Sequence, residues 1–286
     1  ELKRMLPEVP KPWQIYNALK GRQDRVWLID LYNIAARVFN GRLGQYIDKP
    51  HLEQKDLLFY FGCYVFSPSK APEATLTLAD RIGLDYEVLA GLKSCCGWPQ
   101  YLTGDMGFGQ EMLIYLDGLI QQVAPKTIVT GCAECYAALL RLKKRTHATW
   151  EALTTPMWLL RHKDALIWRK FPDLIGFHDS CHVSKKAGQP DPARELLSLM
   201  ADKVELYDTP EDCLCCGYYN IHVNNELNEN LHREKIQHLA AAGGKALAVE
   251  CVTCWEAFNK PFKEARVPLW EMMVAAEVAT RPSEEA

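Results

Sequence analysis

The sequence lacks three features that mark common functional classes. It has no run of about 18 apolar residues, so no membrane-spanning helix is predicted. It has no excess of basic residues, since 33 lysines and arginines face 36 aspartates and glutamates, and this balance argues against a nucleic-acid partner. Its first residues show no charged stretch followed by an apolar core, so no signal peptide is predicted and we expect a cytoplasmic location.

Two cofactor motifs are missing as well. There is no G-x-G-x-x-G fingerprint for a flavin or a nicotinamide, and there is no ferredoxin-type run of closely spaced cysteines. We therefore expect the chain to bind neither flavin nor NAD. Any electrons that it handles must then come from, or pass to, another polypeptide.

Cysteine is what the sequence does have, and ten of its eleven cysteines form an internal repeat. Each half contains a Cys-Cys-Gly motif, one cysteine upstream of it and a C-x2-C motif downstream. The first set is Cys63, Cys95, Cys96, Cys132 and Cys135, and the second set is Cys181, Cys215, Cys216, Cys251 and Cys254. Corresponding cysteines lie 118 to 120 residues apart, which indicates a duplication.

In both halves, strand-like segments alternate with helix-like segments, which predicts an α/β fold with two small parallel-sheet units. The predicted strands are the apolar run from Asp56 to Cys63, then 86–89, 127–130, 174–178, 204–207 and 246–249. We interpret residues 144–172 as a linker and Leu269 to Val278 as a helix. Four of the cysteines then follow strand ends, where parallel sheets bind ligands.

This pattern divides the chain into three parts. Residues 1–55 are an N-terminal extension with a helical docking segment from Arg25 to Tyr46. Residues 56–150 are the first repeat, and residues 151–286 contain the linker, the second repeat and a C-terminal helix.

Three kinds of chemistry use cysteine in this way. A disulfide framework suits small secreted domains, and adjacent cysteines are poor disulfide partners. A zinc site needs four ligands and leaves a fifth cysteine in each half without a role. An iron–sulfur cluster takes thiolates as its normal ligands, and adjacent cysteines can reach different irons. The spacing therefore favours iron–sulfur binding, while zinc in one half stays open.

The duplicated motif resembles the cysteine-rich, or CCG, domain of the catalytic subunit of heterodisulfide reductase, over roughly residues 56–260. Relatives occur in sulfur, succinate or fumarate, lactate and glycerol phosphate oxidoreductase complexes, often in anaerobic metabolism. The resemblance implies two Rossmann-like repeats related by a pseudo-twofold axis. It also implies two noncubane [4Fe-4S] clusters, one held by each cysteine set.

The same resemblance implies a reaction and partners. The reaction is reductive cleavage, or reverse formation, of a disulfide, with a small disulfide or thiol as substrate. The implied partners are a ferredoxin-like iron–sulfur subunit and a flavin-containing subunit. The alternative is an electron-transfer or quinone-linked subunit of a membrane-associated complex, without a disulfide substrate, which would lie at the inner face of the membrane.

Several other residues near the motifs are also candidates for a role at the site. Three histidines could protonate products or serve as local hydrogen-bond partners: His178, His182 and His222. Three lysines could offset cluster charge: Lys93, Lys185 and Lys186. Four aromatic residues are expected to wall off a cluster: Trp98, Tyr101, Tyr218 and Tyr219. Cys213 falls outside the repeat and is expected to be a packed thiol.

Overall fold

The computed structural model describes residues 41–282 apart from 103, 208 and 219–224. The predicted docking helix lies outside this range except for its last residues, which form a 3-10 helix, Gly41–Tyr46. The chain divides into two compact units. Of the described residues, the first unit contains 41–68, Asp85–Thr130 and Ala138–Ala152, and the second contains Ser69–Leu84, Gly131–Ala137 and 153–282.

The described residues form nine α-helices. They are α1 (Ala71–Ile82), α2 (Trp98–Leu102), α3 (Met106–Val123), α4 (Ala133–Thr146), α5 (Thr155–Arg161), α6 (Asp191–Met200), α7 (Asn225–Ala241), α8 (Val252–Glu264) and α9 (Met272–Ala279). None of the helices in this part of the chain combines the length and the apolar character needed to cross a membrane.

The first sheet contains four strands in the order β2-β1-β3-β4. They are β1 (Leu57–Gly62), β2 (Glu87–Ala90), β3 (Thr127–Thr130) and β4 (Glu151–Thr154). The central strand β1 pairs in parallel with both β2 and β3. Residues 58–62 and the whole of β2 are buried, as expected for parallel strands that are covered on both faces.

The second sheet repeats this topology in the order β6-β5-β7-β8. Its strands are β5 (Leu174–His178), β6 (Asp202–Val204), β7 (Ala246–Val249) and β8 (Leu269–Glu271), and all three pairings are parallel. The predicted α/β fold with two parallel-sheet repeats is therefore confirmed. The duplication visible in the cysteines extends to the order of the strands.

Three details of the predicted secondary structure were wrong. The segment 144–172 contains β4 and α5 in addition to connecting chain, and Leu269 begins a strand before the helix α9 starts at Met272. The strand predicted at 204–207 lies instead at Asp202–Val204. Strands β4 and β8 are short, each contains a glutamate, and no cysteine motif follows them to mark their ends.

Candidate metal centres

Four cysteines follow the ends of parallel strands, as the sequence predicts. They are Cys63 after β1, Cys132 after β3, Cys181 after β5 and Cys251 after β7. The second cysteine of each C-x2-C motif lies in the first turn of a helix, Cys135 in α4 and Cys254 in α8. Since α/β sheets bind ligands beyond the carboxyl ends of their strands, this placement agrees with a binding role.

In the first unit, the vicinal pair is buried beside Cys63. The Sγ atoms of Cys95 and Cys63 are 3.6 Å apart, and Cys95 packs with Leu92, Phe108 and Met112. Burial raises the pKa of the Cys95 thiol, and hydrogen bonds with the neighbouring cysteines raise that pKa further. This environment keeps Cys95 protonated unless a cation is bound.

The predicted first set is brought together only in part within the first unit. Cys63, Cys95 and Cys96 belong to that unit, whereas Cys132 and Cys135 belong to the second. The assignment of all five to one centre stays a prediction.

Glycine follows each vicinal pair because the backbone there has no room for a side chain. Gly97 and Gly217 have φ angles of 73° and 78°, in the left-handed region that favours glycine. A Cβ on Gly97 would collide with the carbonyl oxygen of Gly109, and one on Gly217 would collide with the side chain of Asn228. The glycines therefore permit a tight turn directly after the two adjacent thiols.

In the second unit, all five thiols of the second set lie close together. Neighbouring thiols shift one another's pKa in four pairs: Cys181 with Cys215, Cys215 with Cys216, Cys216 with Cys254, and Cys254 with Cys251. Cys215 is exposed, Cys181 is partly buried, and the other three are buried. All eleven cysteines of the chain are free thiols, so no described cysteine is engaged in a disulfide.

These five thiols differ strongly in acidity. Hydrogen bonds from Cys181 and Cys216 hold the pKa of Cys215 far below its usual range. Burial raises the pKa of Cys251, but hydrogen bonds from Cys132 and Cys254 outweigh burial and lower it well below the usual value. Cys215 and Cys251 are therefore the more acidic members, whereas the pKa values of Cys181, Cys216 and Cys254 are raised, because adjacent sulfur donors cannot all ionise without a cation.

A buried carboxyl group lies among these thiols, and the sequence pattern alone did not point to it. Glu134 Oε2 accepts hydrogen bonds from the Thr253 hydroxyl at 2.9 Å and from Cys132 Sγ at 3.1 Å. Burial, reinforced by the charge of Cys251, raises the pKa of Glu134 to about 8. Glu134 and Thr253 occupy the same position in the two C-x2-C motifs, and this was the one available signal.

Two of the three candidate histidines lie beside the second cysteine set. Burial, together with the charge of Lys235, holds the pKa of His178 well below its usual value. His182 lies with its Nδ1 3.3 Å from Cys181 Sγ and its Nε2 3.2 Å from the Lys186 Nζ. His222 falls outside the described residues. The proposed roles of the histidines in protonating products stay predictions.

Cys213 is a packed thiol, but its surroundings are polar. Lys235 is wholly buried and its Nζ donates to Cys213 Sγ at 3.3 Å. Lys185 Nζ donates to the Cys213 carbonyl oxygen at 2.6 Å. Burial raises the pKa of the Cys213 thiol, while Lys235 opposes that rise.

The aromatic candidates near the first vicinal pair hold a guanidinium group. The Arg141 guanidinium carbon lies 3.9 Å from the centre of the Tyr101 ring and 5.6 Å from that of Trp98. Tyr218 is partly buried, and Tyr219 lies outside the described residues. Among the lysines, Lys93 is partly buried in the first unit.

A buried ion pair fixes the turn that carries Cys181. Arg194 donates from Nη1 to Asp179 Oδ1 at 2.5 Å and from Nη2 to Asp179 Oδ2 at 2.6 Å. Ser184 Oγ also donates to Asp179 Oδ1, at 2.9 Å. Cys181–Lys186 forms a π-helix, a form found frequently at functional sites.

The arrangement of strands and cysteines matches a known family. The family model of the cysteine-rich domain, CCG, matches residues 57–140 and again residues 175–259. This chain belongs to the cysteine-rich (CCG) domain family. Each match begins at or beside a central strand, β1 or β5, and ends within the helix after a C-x2-C motif.

Relatives of this CCG protein include subunits of two reductases and a lactate utilization protein. It is 24% identical over 178 residues to one subunit of the dihydromethanophenazine:CoB–CoM heterodisulfide reductase from Methanosarcina barkeri, covering 58% of this chain and 43% of the relative. It is 23% identical over 203 residues to lactate utilization protein A 1 from Bacillus mycoides, covering 64% and 79%. It is 23% identical over 199 residues to one subunit of the fumarate reductase (CoM/CoB) from Methanothermobacter marburgensis, covering 68% and 40%.

The chain spans about half the length of the heterodisulfide reductase subunits that it matches. Among solved structures, a glutamate racemase from Francisella tularensis aligns over 77% of both chains at 11% identity, with a TM-score of 0.35. A score that low does not bear on fold or function.

The donor set of the second unit fits a thiophilic metal centre. Its five donors are all thiols, and zinc and iron–sulfur clusters both take thiolate ligands. Five thiols exceed the four ligands of a tetrahedral zinc ion, which leaves one sulfur over if zinc is bound. The CCG protein therefore has the donors for metal or iron–sulfur binding.

Proposed function

We propose that this CCG protein is the iron–sulfur subunit of a multisubunit oxidoreductase, with a noncubane [4Fe-4S] cluster held by each cysteine set. We propose further that it reductively cleaves a small disulfide or, in reverse, forms one. The observation that supports this most is the five-thiol set of the second unit, whose members lie close enough to shift one another's pKa. Such a set needs a multivalent cationic partner before all its members can ionise.

Iron–sulfur clusters held by these residues would supply single electrons and iron that binds sulfur. The protein's own side chains determine which thiols solvent can reach and where a proton is held near them. Cys215 is exposed, so the second set opens to solvent at one member, whereas the apolar residues around Cys95 exclude water from the first vicinal pair. The Glu134 carboxyl group, with a pKa of about 8, holds a proton at neutral pH beside Cys132 and Cys251.

Electrons then need an external path. Because the chain has no flavin, nicotinamide or ferredoxin motif, we propose a ferredoxin-like iron–sulfur subunit and a flavin-containing subunit as partners. The heterodisulfide reductase and fumarate reductase relatives are named as subunits, which supports membership of a complex. The proposed location is the cytoplasm, with peripheral association to the membrane through that complex.

A second function is favoured by the range of relatives. Lactate utilization and fumarate reductase proteins match as well as the heterodisulfide reductases do. The chain would then be an electron-transfer or quinone-linked subunit without a disulfide substrate.

Metal analysis of protein prepared without oxygen tests the shared part of both functions. We expect about eight iron atoms and as much acid-labile sulfide per chain if each set holds a four-iron cluster. Cys96→Ala and Cys216→Ala form a matched pair, one in each repeat, and each should lose about half of the iron because only one cluster is affected. Zinc without labile sulfide in either repeat would contradict the cluster assignment for that repeat.

Turnover assays separate the two functions. With a reduced viologen dye as donor, a small mixed disulfide should release two thiols per two electrons if the chain cleaves disulfides. A protein with full cluster content that reduces a quinone analogue but releases no thiol from any disulfide tested would be an electron-transfer subunit instead.

A further inference from the structure

The two repeats differ at three positions whose side chains meet in the second unit. Relative to the motif cysteines, Tyr60, Lys93 and Leu116 of the first repeat correspond to His178, Cys213 and Lys235 of the second. Leu116 and Lys235 each lie 16 residues before the first cysteine of a C-x2-C motif, and both are wholly buried. An apolar position in one repeat is therefore cationic in the other.

The three residues of the second repeat form a connected group. Lys235 Nζ donates to Cys213 Sγ at 3.3 Å, and His178 Nδ1 lies 3.5 Å from the same sulfur. Because Cys213 Sγ already accepts from Lys235, it is placed to accept the Nδ1–H of His178 too. A histidine that donates from one ring nitrogen keeps a lone pair on the other, as metal-binding histidines do.

The ring of His178 also lies against the second cysteine set. One of its ring nitrogens and the Sγ atoms of Cys216 and Cys254 all lie within 4.8 Å of one another, and all three residues are buried. The ring packs edge-on against Phe258, with a centroid distance of 4.9 Å and an interplanar angle of 87°. This spacing suits three ligands of one metal ion.

The first repeat does not share this arrangement. The hydroxyl of Tyr60, the counterpart of His178, donates to the Ser94 carbonyl oxygen at 2.7 Å. That hydroxyl is therefore committed to the backbone. The nitrogen donor is a property of the second repeat.

We propose that His178 is a nitrogen ligand of the metal centre in the second repeat, beside Cys216 and Cys254, with Cys213 and Lys235 orienting its imidazole. The inference deepens the proposed function, since it treats the second cysteine set as a metal centre. All five thiols remain in the second repeat, so the imidazole would be an additional, neutral donor, and Lys235 adds a positive charge nearby. The centre of the second repeat is therefore expected to accept electrons more readily than that of the first, because a nearby positive charge stabilises an added electron.

Isotope labelling tests the ligand directly. The anaerobically prepared chain, labelled with ¹⁵N-histidine and brought to a paramagnetic state, is examined by pulsed EPR spectroscopy. We expect a strong ¹⁵N coupling in the unsubstituted protein, its loss in His178→Phe and in His178→Tyr, and its retention in His182→Phe. His182 is a matched control because its Nδ1 lies 3.3 Å from Cys181 Sγ in the same cysteine set.

The outcomes separate a failure of the His178 ligand assignment from a failure of the proposed function. If the unsubstituted protein binds iron and sulfide but shows no ¹⁵N-histidine coupling, His178 is not a ligand, and the cluster assignment still stands. This outcome does not depend on whether the His178 variants fold. A coupling that survives in His178→Phe, or vanishes in His182→Phe, would also overturn the ligand assignment. If the second repeat binds zinc instead, the proposed function fails there, and the same measurement on Co²⁺-substituted protein decides whether His178 is a ligand.

Discussion

Replacing Arg194 with methionine should destabilise the second unit by about 3–5 kcal/mol, the usual cost of removing one partner from a buried ion pair. Arg194 donates two hydrogen bonds, of 2.5 and 2.6 Å, to the two carboxylate oxygens of Asp179. The Asp179 side chain is only 3% exposed, and that of Arg194 is 12% exposed. Without Arg194, the buried negative charge of Asp179 would keep the hydroxyl of Ser184 as a donor but would lose both guanidinium hydrogen bonds.

The magnitude follows from what each partner retains. Burial lowers the pKa of Arg194, but the hydrogen bonds that it donates to Asp179 and Glu205 outweigh burial and raise that pKa, so the guanidinium stays charged. Glu205 is 42% exposed, so water can replace its contact with Arg194 at little cost. The loss therefore comes mainly from Asp179, which stands two residues before Cys181.

Lys170→Met is the matched control in the same unit. Lys170 Nζ lies 2.7 Å from Asp202 Oδ1, but both side chains are largely exposed, and such pairs contribute about 0–1 kcal/mol. Urea unfolding of the metal-free, reduced proteins, followed by tryptophan fluorescence, measures both variants. Arg194→Met with Asp179→Asn should cost less than the sum of the single changes, because no unpaired charge remains. Equal effects of Arg194→Met and Lys170→Met would refute the reasoning.

Three further predictions concern the surroundings of the cysteines. Gly217→Ala should destabilise the protein by more than about 1 kcal/mol and lower its metal content, because φ is 78° at this position and the added methyl group would collide with Asn228. Its control is Gly118→Ala on α3, where the methyl group enters open space and should stabilise the protein by about 0.5–1 kcal/mol; urea unfolding measures both variants. The pKa of Glu134 is about 8 in the folded protein and 4.5, its ordinary value, in the unfolded chain. The free energy of unfolding of the metal-free protein should therefore fall as the pH rises from 4.5 to 8, and Glu134→Gln should make this pH dependence flatter. Tyr60→Phe removes one buried hydrogen bond and should cost about 1 kcal/mol in urea unfolding with no loss of iron; loss of half the iron would mean that Tyr60 has a role at the first centre.

The parts of the fold that were predictable are those that depend on local sequence. Three strands have the predicted bounds: 127–130, 174–178 and 246–249. Each is a short, mostly apolar segment that a motif cysteine follows within three residues. The edge strands β4 and β8 were missed because each contains a glutamate and no cysteine motif follows either of them. Their existence depends on pairing with a distant partner, as β8 does with β7.

The site, like the fold, was predictable where it depends on local sequence and not where it depends on distant contacts. Motif spacing singled out ten cysteines, and the second unit brings five of them together. Glu134 and Lys235 were not singled out, because a glutamate within a C-x2-C motif and a lysine on a polar helix are ordinary in sequence. Their importance depends on burial: both are buried beside cysteine sulfur, and only the three-dimensional contacts show that.

Duplication explains why the cysteines recur, and it also limits where the two repeats can differ. Both sheets use one strand order, so matching cysteines reach matching sheet edges for the same reason. Any difference in chemistry between the repeats must then come from residues outside the repeated cysteines. His178, Cys213 and Lys235 are such residues, and they contact one another where their counterparts are tyrosine, lysine and leucine. The buried ammonium group of Lys235 adds a positive charge that its counterpart Leu116 lacks, so electrons should favour the second repeat.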